Sequence, residues 1–338
     1  MVLPRGSLFF SGPVEEGNSG GPLLYNGKVV ALITETVGSF KYAKPAVIAQ
    51  YELKNWDVVF GDSSMEIAVG SLSPAKPLRP LDLHENTSLP RTITGKDGAP
   101  LVLVPAGDFT MGLPISRGGI GEYPEHDVYL KDFYIDQYEV TVERYHQYMI
   151  QTNRSAPDFW DQVEWMRDAQ KPVVGIVWQD AHDYCQRVGR RLPTEAEWEK
   201  AAKGTDNRIY PWGNSKPNDE IANFKKGAPI SGTNLYEEKL TNVGNYEQGK
   251  SPYGAYDMAG NVWEWVQDWF GEDYYRNSPR ENPQGPSSGE FKVLRGGSWF
   301  GHIDNLRSSA RNWNRSEAWN YPWGWKYVTG VRCAQGAP

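Results

Sequence analysis

Apolar positions along the chain come mostly in short runs closed by turn residues, and only three stretches carry a helical signal. Near the N-terminus, PLLY and KVVALIT flank Tyr25, Asn26 and Gly27. Asn-Gly between two apolar runs predicts a hairpin. From Leu101, LVLVPAGDFTMG predicts a strand, a Pro-Ala-Gly turn and a second strand, and HDVYLKDFYIDQYEVT alternates as a half-buried strand would. Thr141 opens a helix over VERYHQYM. WQDAHDYCQRVG then sets Ala181, Tyr184, Cys185 and Val188 on one helical face, with Gly189 as the stop. Thr194 and Glu197 form a capping box for a third helix that Gly204 ends. PWGN and YGAYDMAGNVWEWVQDWF follow as aromatic, turn-rich segments, and the chain closes on VLRGGSW, about thirty aperiodic residues and VRC.

Composition supports an α+β fold of short elements: of 338 residues 39% are hydrophobic, 23% charged and 13% aromatic, with 35 Gly and 24 Pro. A net charge of -7 without a basic run argues against nucleic acid or an anionic membrane as partner. No apolar run approaches the ~20 residues of a membrane span, and no signal-peptide core is evident, so a cytoplasmic address is expected. Two Cys allow at most one bridge. The stretch 71–100, SLSPAKPLRPLDLHENTSLPRTITGKDGAP, is polar and Pro-rich. It reads as a linker between a β-rich unit over 1–70 and a domain over 101–335.

Within the first unit GNSGGPL, from Gly17 to Leu23, resembles the nucleophile loop of trypsin-like serine proteases, and the strands after it resemble that family's C-terminal end. The resemblance makes Ser19 the nucleophile. No His precedes it, and the first in the chain is His84. A serine without its base is a poor nucleophile, so the unit is expected to be an inactive fragment.

FTMG, the block from VGIVWQDAHDYCQRVG to LPTEAEWEKAAKG, YPWGN, YGAYDMAGNVWEWVQDWF and VLRGGSW closing with GVRC resemble, in order and spacing, the formylglycine-generating-enzyme (sulfatase-modifying factor) family. That resemblance implies a variant of the C-type lectin fold, and in the oxidase branch a copper ion on two thiolates shortly after GGS. The matching positions here are Gly301 and Leu306, so no copper is expected. It further implies a helix-to-strand disulfide between Cys185 and Cys333, two buried thiols being the alternative. It implies a structural Ca2+ held by Asn261, the Val262 carbonyl and Glu264, the alternative being a structural turn; Asn223 matches a ligand of a second site.

The closing segment, Val293 to Cys333, resembles the variable region of diversity-generating-retroelement proteins, which rewrite adenines in Asn-type codons. Phe300, Gly301, His302, Ile303, Asp304, Asn305, Asn312, Asn314 and Tyr321 belong to the residues such rewriting yields. Trp313, Trp319, Trp323 and Tyr327 add aromatic contact area of the kind recognition surfaces use. Leu306, Arg307, Ser308 and Arg311 read as fixed scaffold, and Trp299 and Trp325 as packing. The expected function is display of a binding surface for a protein ligand, without catalysis. A fixed adaptor of the same fold, or an enzyme, are the alternatives.

Overall fold

The computed structural model describes residues 89–114, 116, 119, 121–227, 232–316 and 325–338, together with the backbone of three strands between 22 and 45. The chain divides into two compact units, Met1–Lys76 and Pro77–Pro338.

In the first unit β1 (Pro22–Tyr25), β2 (Lys28–Val37) and β3 (Phe40–Pro45) form an antiparallel sheet. Tyr25 stands opposite Lys28, so β1 and β2 are linked across Asn26 and Gly27 alone, as the dipeptide predicts. Gly17, Ser19 and His84 lie outside the described residues.

The second unit starts with β4 (Thr92–Thr94), inside the stretch that reads as linker, and β5 (Pro100–Val104). Thr92 to Thr94 pair in register with Val102 to Pro100, because Leu101 and Leu103 need a covered face beside Tyr134. β6 (Gly107–Met111) and β7 (His126–Leu130) make a two-stranded ribbon, and β8 (Phe133–Asp136) is the second half of what the alternation suggested was one strand. β8 lies between β5 and the last strand, β13 (Ala334–Gly336), and all four of its residues are buried. Covered on both faces, it loses the in-out burial that the sequence suggested.

Among the described residues three helices of nine or more residues follow, and single-turn helices stand at Trp165–Asp168, Leu235–Glu238 and Tyr274–Asn277. Thr141 caps α1 (Val142–Thr152), its hydroxyl accepting from the Arg144 amide at 3.3 Å. Its Tyr145 and Tyr148 meet Tyr184 of α2 (Trp178–Arg187) at centroid distances of 5.7 and 5.3 Å. α3 (Glu195–Lys203) carries the capping box, with the Glu197 amide donating to Thr194 Oγ1 at 3.1 Å and the Thr194 amide to Glu197 Oε2 at 2.8 Å. EAEWEKAAK reads as a helix with a charged outer face, yet every residue of α3 is buried. Its charges survive because each has a partner: Lys200 donates to the Pro105 and Gly107 carbonyls at 2.7 and 2.9 Å, and Lys203 to Glu199 at 3.1 Å.

The second sheet runs β11–β10–β9–β12: β9 (Trp263–Trp269), β10 (Phe291–Arg295), β11 (Arg311–Arg315) and β12 (Thr329–Gly330). Only β12 runs parallel to its neighbour. β11 corrects the aperiodic reading of the closing segment, for RNWNR pairs with β10 along its whole length, from Phe291 opposite Arg315 to Arg295 opposite Arg311. VRC is not itself a strand; it spans the gap between β12 and β13. One core cluster joins α1, α2, Trp263, Trp265 and Trp299; a second joins α3 to the strands β5 to β8. No helix among the described residues is long and apolar enough to cross a membrane.

Candidate functional site

The segment after β10 starts from a turn that only glycine suits. Gly297 has φ +76, and a Cβ there would come within 2.7 Å of the Asn305 carbonyl. The Trp299 amide donates to Asn261 O at 2.9 Å, and its buried ring closes the main core. Three arginines then hold residues 304 to 311 from below. Arg295, fully buried, donates to the carbonyls of Ser308, Ser309 and Ala310 at 2.8–2.9 Å and to Glu199 Oε2. Arg311 forks onto Glu195 at 2.6 and 2.9 Å and reaches Gly121 O at 2.8 Å. Arg307 binds the buried Glu122 at 2.6 Å and Asp304 at 2.9 Å, and Ser309 Oγ donates to Glu122 at 2.8 Å. Bidentate, desolvated arginine pairs fix backbone geometry more firmly than neutral hydrogen bonds do.

The electrostatics follow from burial. Desolvation works against the Arg295 cation, and Glu199 and Glu195 outweigh it, so its proton is held more tightly than usual. Burial, with the Glu195 charge, pushes the Tyr275 hydroxyl well up. Asp268, also desolvated and beside Glu195, is pushed up to about 8.

On this base the expected contact positions separate. His302 and Asp304 are exposed, and Phe300, Ile303, Asn305, Asn312, Trp313, Asn314 and Tyr327 are half-buried. Phe300 and Tyr327 flank Trp299 at 5.8 and 5.7 Å. Trp313 stacks on Phe270 at 4.0 Å. Gly301 is a correction: it is buried, its amide donates to Ser298 O at 2.9 Å, and an added Cβ would lie 3.1 Å from that carbonyl. It therefore shapes the turn instead of offering a contact. Trp319, Tyr321 and Trp323 lie outside the described residues, as does the Trp325 side chain. Leu306, Ser308 and Arg311 are buried, in keeping with a scaffold role.

Sequence reasoning passed over residues 158–166. Phe159 and Trp160 pack on the same core cluster as Phe300 and Tyr327, and Asp158 pairs with Lys326. The available signal was FWDQVEWM, an aromatic run without periodicity.

Cys185 and Cys333 are joined in a disulfide. Both thiols are thereby consumed, and at the two positions after GGS stand Gly301 and Leu306, the latter buried with Ala222, Phe224 and Ala259. The side-chain oxygens of the expected calcium set are engaged within the protein. Glu264 gives Oε1 to Arg332 at 2.7 Å and Oε2 to Arg332 and Trp198 Nε1, each at 2.7 Å. Asn261 Oδ1 accepts from Asn223 Nδ2 at 3.0 Å and from the Thr241 amide at 3.2 Å, while its Nδ2 donates to Glu139 at 2.7 Å. Of these side chains only Asn223 keeps an oxygen, Oδ1, without a partner. With Glu264 spent on Arg332, the set Asn261, Val262 and Glu264 does not fit a calcium cage in this arrangement. No cluster of three or more His, Cys, Asp or Glu among the described residues is placed to hold a metal.

Residues 87–335 match the sulfatase-modifying factor enzyme 1-like domain. The chain is 35% identical over 251 residues to a serine/threonine-protein kinase pkn1 of Chlamydia caviae, covering 69% of this chain and 38% of that protein. It thus spans under two fifths of the kinase's length. It is 31% identical over 310 residues to the formylglycine-generating enzyme of Streptomyces coelicolor, covering 75% of this chain and 93% of the enzyme. Among solved structures, Treponema denticola variable protein 1 superposes with a TM-score of 0.56 at 22% identity over 74% of this chain and all of that one, a likeness of fold.

Proposed function

The chain belongs to the sulfatase-modifying factor family, of the C-type lectin fold, and from that premise we propose that residues 293–333 form a binding face for a protein ligand and carry no oxidase chemistry. The observation behind this reading is the split between a charge-latched base and a tolerant rim. Arg295, Arg311 and Leu306 are buried and partnered, while His302 and Asp304 project from the loop they hold. A backbone fixed from beneath can exchange its outward side chains at small cost, since surface substitutions usually move stability by under ~0.5 kcal/mol. The half-buried aromatics Phe300, Trp313 and Tyr327 supply contact area with few torsions to freeze. Further support comes from the rim residues, which are of the types that rewriting Asn-type codons yields, and from the likeness to a variable protein.

Sequencing the gene from codon 293 to codon 333 across a population of the source organism tests it. Adenine-confined substitutions at codons 300, 302–305, 312 and 314 are expected. A uniform sequence would leave a fixed adaptor of the same fold. A second reading, an oxidase, is favoured by the identity to the Streptomyces enzyme. Cu(I) titration of the disulfide-intact protein decides it, since tight one-to-one binding would restore the enzyme reading and displace ours.

A further inference from the structure

The large apolar side chains exposed among the described residues are Ile150, Trp165 and Met166, at 62, 40 and 89%. They gather in one place. His146 lies four residues before Ile150 on α1, so the two share a helical face. The His146 ring sits 4.7 Å from Trp165 and 5.8 Å from Trp160. Trp165 thus lies against the face of α1 that also carries Ile150, and Met166 follows it in the chain.

The segment that presents them is held firmly. The Gln162 carbonyl accepts from Asn234 Nδ2 at 3.1 Å, and its side-chain oxygen from the Leu235 amide at 2.9 Å. Asp168 takes the Glu164 amide at 2.9 Å. Gly175 lies so close beneath that a Cβ would be 2.2 Å from Asp158 O. Phe159 is kept at φ +66, which a bulky residue rarely adopts. A rigid shelf with an exposed methionine and tryptophan meets the requirement for preorganised contact, because little ordering entropy is lost on binding. Its rim is acidic: among the described residues the exposed Glu143 and Asp161 stand in no ion pair, and the exposed Glu164 feels only the more distant charge of Arg167, which is bound to Asp168 and Glu237.

We propose that this shelf docks a protein segment whose apolar anchor is flanked by lysine or arginine, as an extension of the face that carries Phe300 and Tyr327. The proposal rests on the binding reading above and names the partner's chemistry. The apolar anchor covers Trp165, Met166 and Ile150, and the flanking cations meet Asp161 and Glu164. The Asp158–Lys326 pair makes the shelf continuous with the residues around Tyr327.

Panning the full chain against a displayed random dodecapeptide library tests this. Peptides with an aromatic or aliphatic anchor between basic residues are expected to enrich. Met166→Asp should weaken the selected peptides about thirtyfold, the loss typical of a hot-spot truncation. The double variant Asp161→Asn/Glu164→Gln should remove most of their salt dependence. Both variants alter exposed side chains, and unchanged thermal melts check that they fold. Acidic or uncharged consensus peptides, or no enrichment, would overturn the proposal. Peptides that are lost with Phe300→Ala but bind Met166→Asp normally would overturn the shelf while keeping the binding face. A concentration-dependent dimer in sedimentation, abolished by Met166→Asp, would assign the shelf to a second copy of the chain and also overturn it.

Discussion

Arg311 lays its guanidinium flat against the Glu195 carboxylate, Nε to Oε1 at 2.6 Å and Nη2 to Oε2 at 2.9 Å, with both side chains almost wholly out of solvent. The pair ties β11, the strand carrying Asn312, Trp313 and Asn314, to the first turn of α3. Removing Arg311 takes both fork bonds from buried Glu195 and leaves it the longer contact with Arg295, at 3.5 Å, and the Tyr275 hydroxyl at 3.3 Å. Arg311→Leu should therefore cost about 3–5 kcal/mol in urea denaturation, the usual loss for half of a buried ion pair. Arg311→Lys should recover only part of it, since an ammonium cannot make the fork. A cost under about 1 kcal/mol for Arg311→Leu would mean the latch is dispensable.

The rim and the base of the same loop should answer differently to substitution. Asp304 pairs with His302 at 3.0 Å and Arg307 at 2.9 Å, but both His302 and Asp304 are about two-thirds exposed. Exposed pairs contribute about 0–1 kcal/mol. Asp304→Ala and His302→Ala should thus shift stability by no more than that. Leu306→Ala, two residues on, empties space beneath Gly297 and among Ala222, Phe224 and Ala259. It should cost about 2–5 kcal/mol. Equal effects at Asp304 and Leu306 would refute the division between rim and base.

The disulfide gives a separate test. Cys185 and Cys333 are 148 residues apart in sequence, so their bond constrains most of the unfolded second unit. Chain-entropy reasoning puts its contribution at about 2–5 kcal/mol. Cys185→Ala/Cys333→Ala should lower the melting temperature, and adding reductant should then do nothing further. Chain isolated from its source and denatured under thiol-trapping conditions should carry no alkylated cysteine. Two alkylated cysteines would agree with the cytoplasmic expectation, because bridges of this kind persist mainly in oxidising compartments.

Local chemistry was legible where it acts alone. Thr141 and Thr194 announce their helices because a hydroxyl placed before an apolar run has one good use, capping amides. Asn26-Gly27 sets its hairpin for the same kind of reason. Tertiary context decided the rest. HDVYLKDFYIDQYEVT alternates throughout, yet β7 and β8 belong to different sheets. RNWNR has little apolar pattern because Arg311 and Trp313 satisfy themselves on Glu195 and Phe270, partners far away in sequence. Gly301 fits a codon pattern but faces inward, a matter of turn geometry that no codon records. The shelf at 158–166 escaped notice because its aromatics follow neither helical nor strand spacing.

The buried acids give the protein a pH response of definite sign. Asp268 accepts the Glu195 amide at 2.8 Å, and burial together with the Glu195 charge raises it to about 8. In the unfolded chain an aspartate titrates near about 4. A raised acid binds its proton more tightly in the folded state, so its stabilising contribution is complete below about pH 4 and is lost as pH rises through about 8. Asp257, raised to about 6 chiefly by burial, acts in the same direction over a lower window, and Glu139 is shifted the same way. Stability should therefore fall between about pH 4 and pH 8, with a slope of up to about 1.4 kcal/mol per pH unit for each such proton. Asp268→Asn keeps an oxygen for the Glu195 amide and removes the titration. Its urea midpoints should fall less steeply with pH than the parent's, with a residual slope from Asp257 and Glu139, and the variant should be the more stable of the two at about pH 8. Identical slopes in the two proteins would show that Asp268 is ionised in the folded state throughout, and that Arg311 rather than burial governs it.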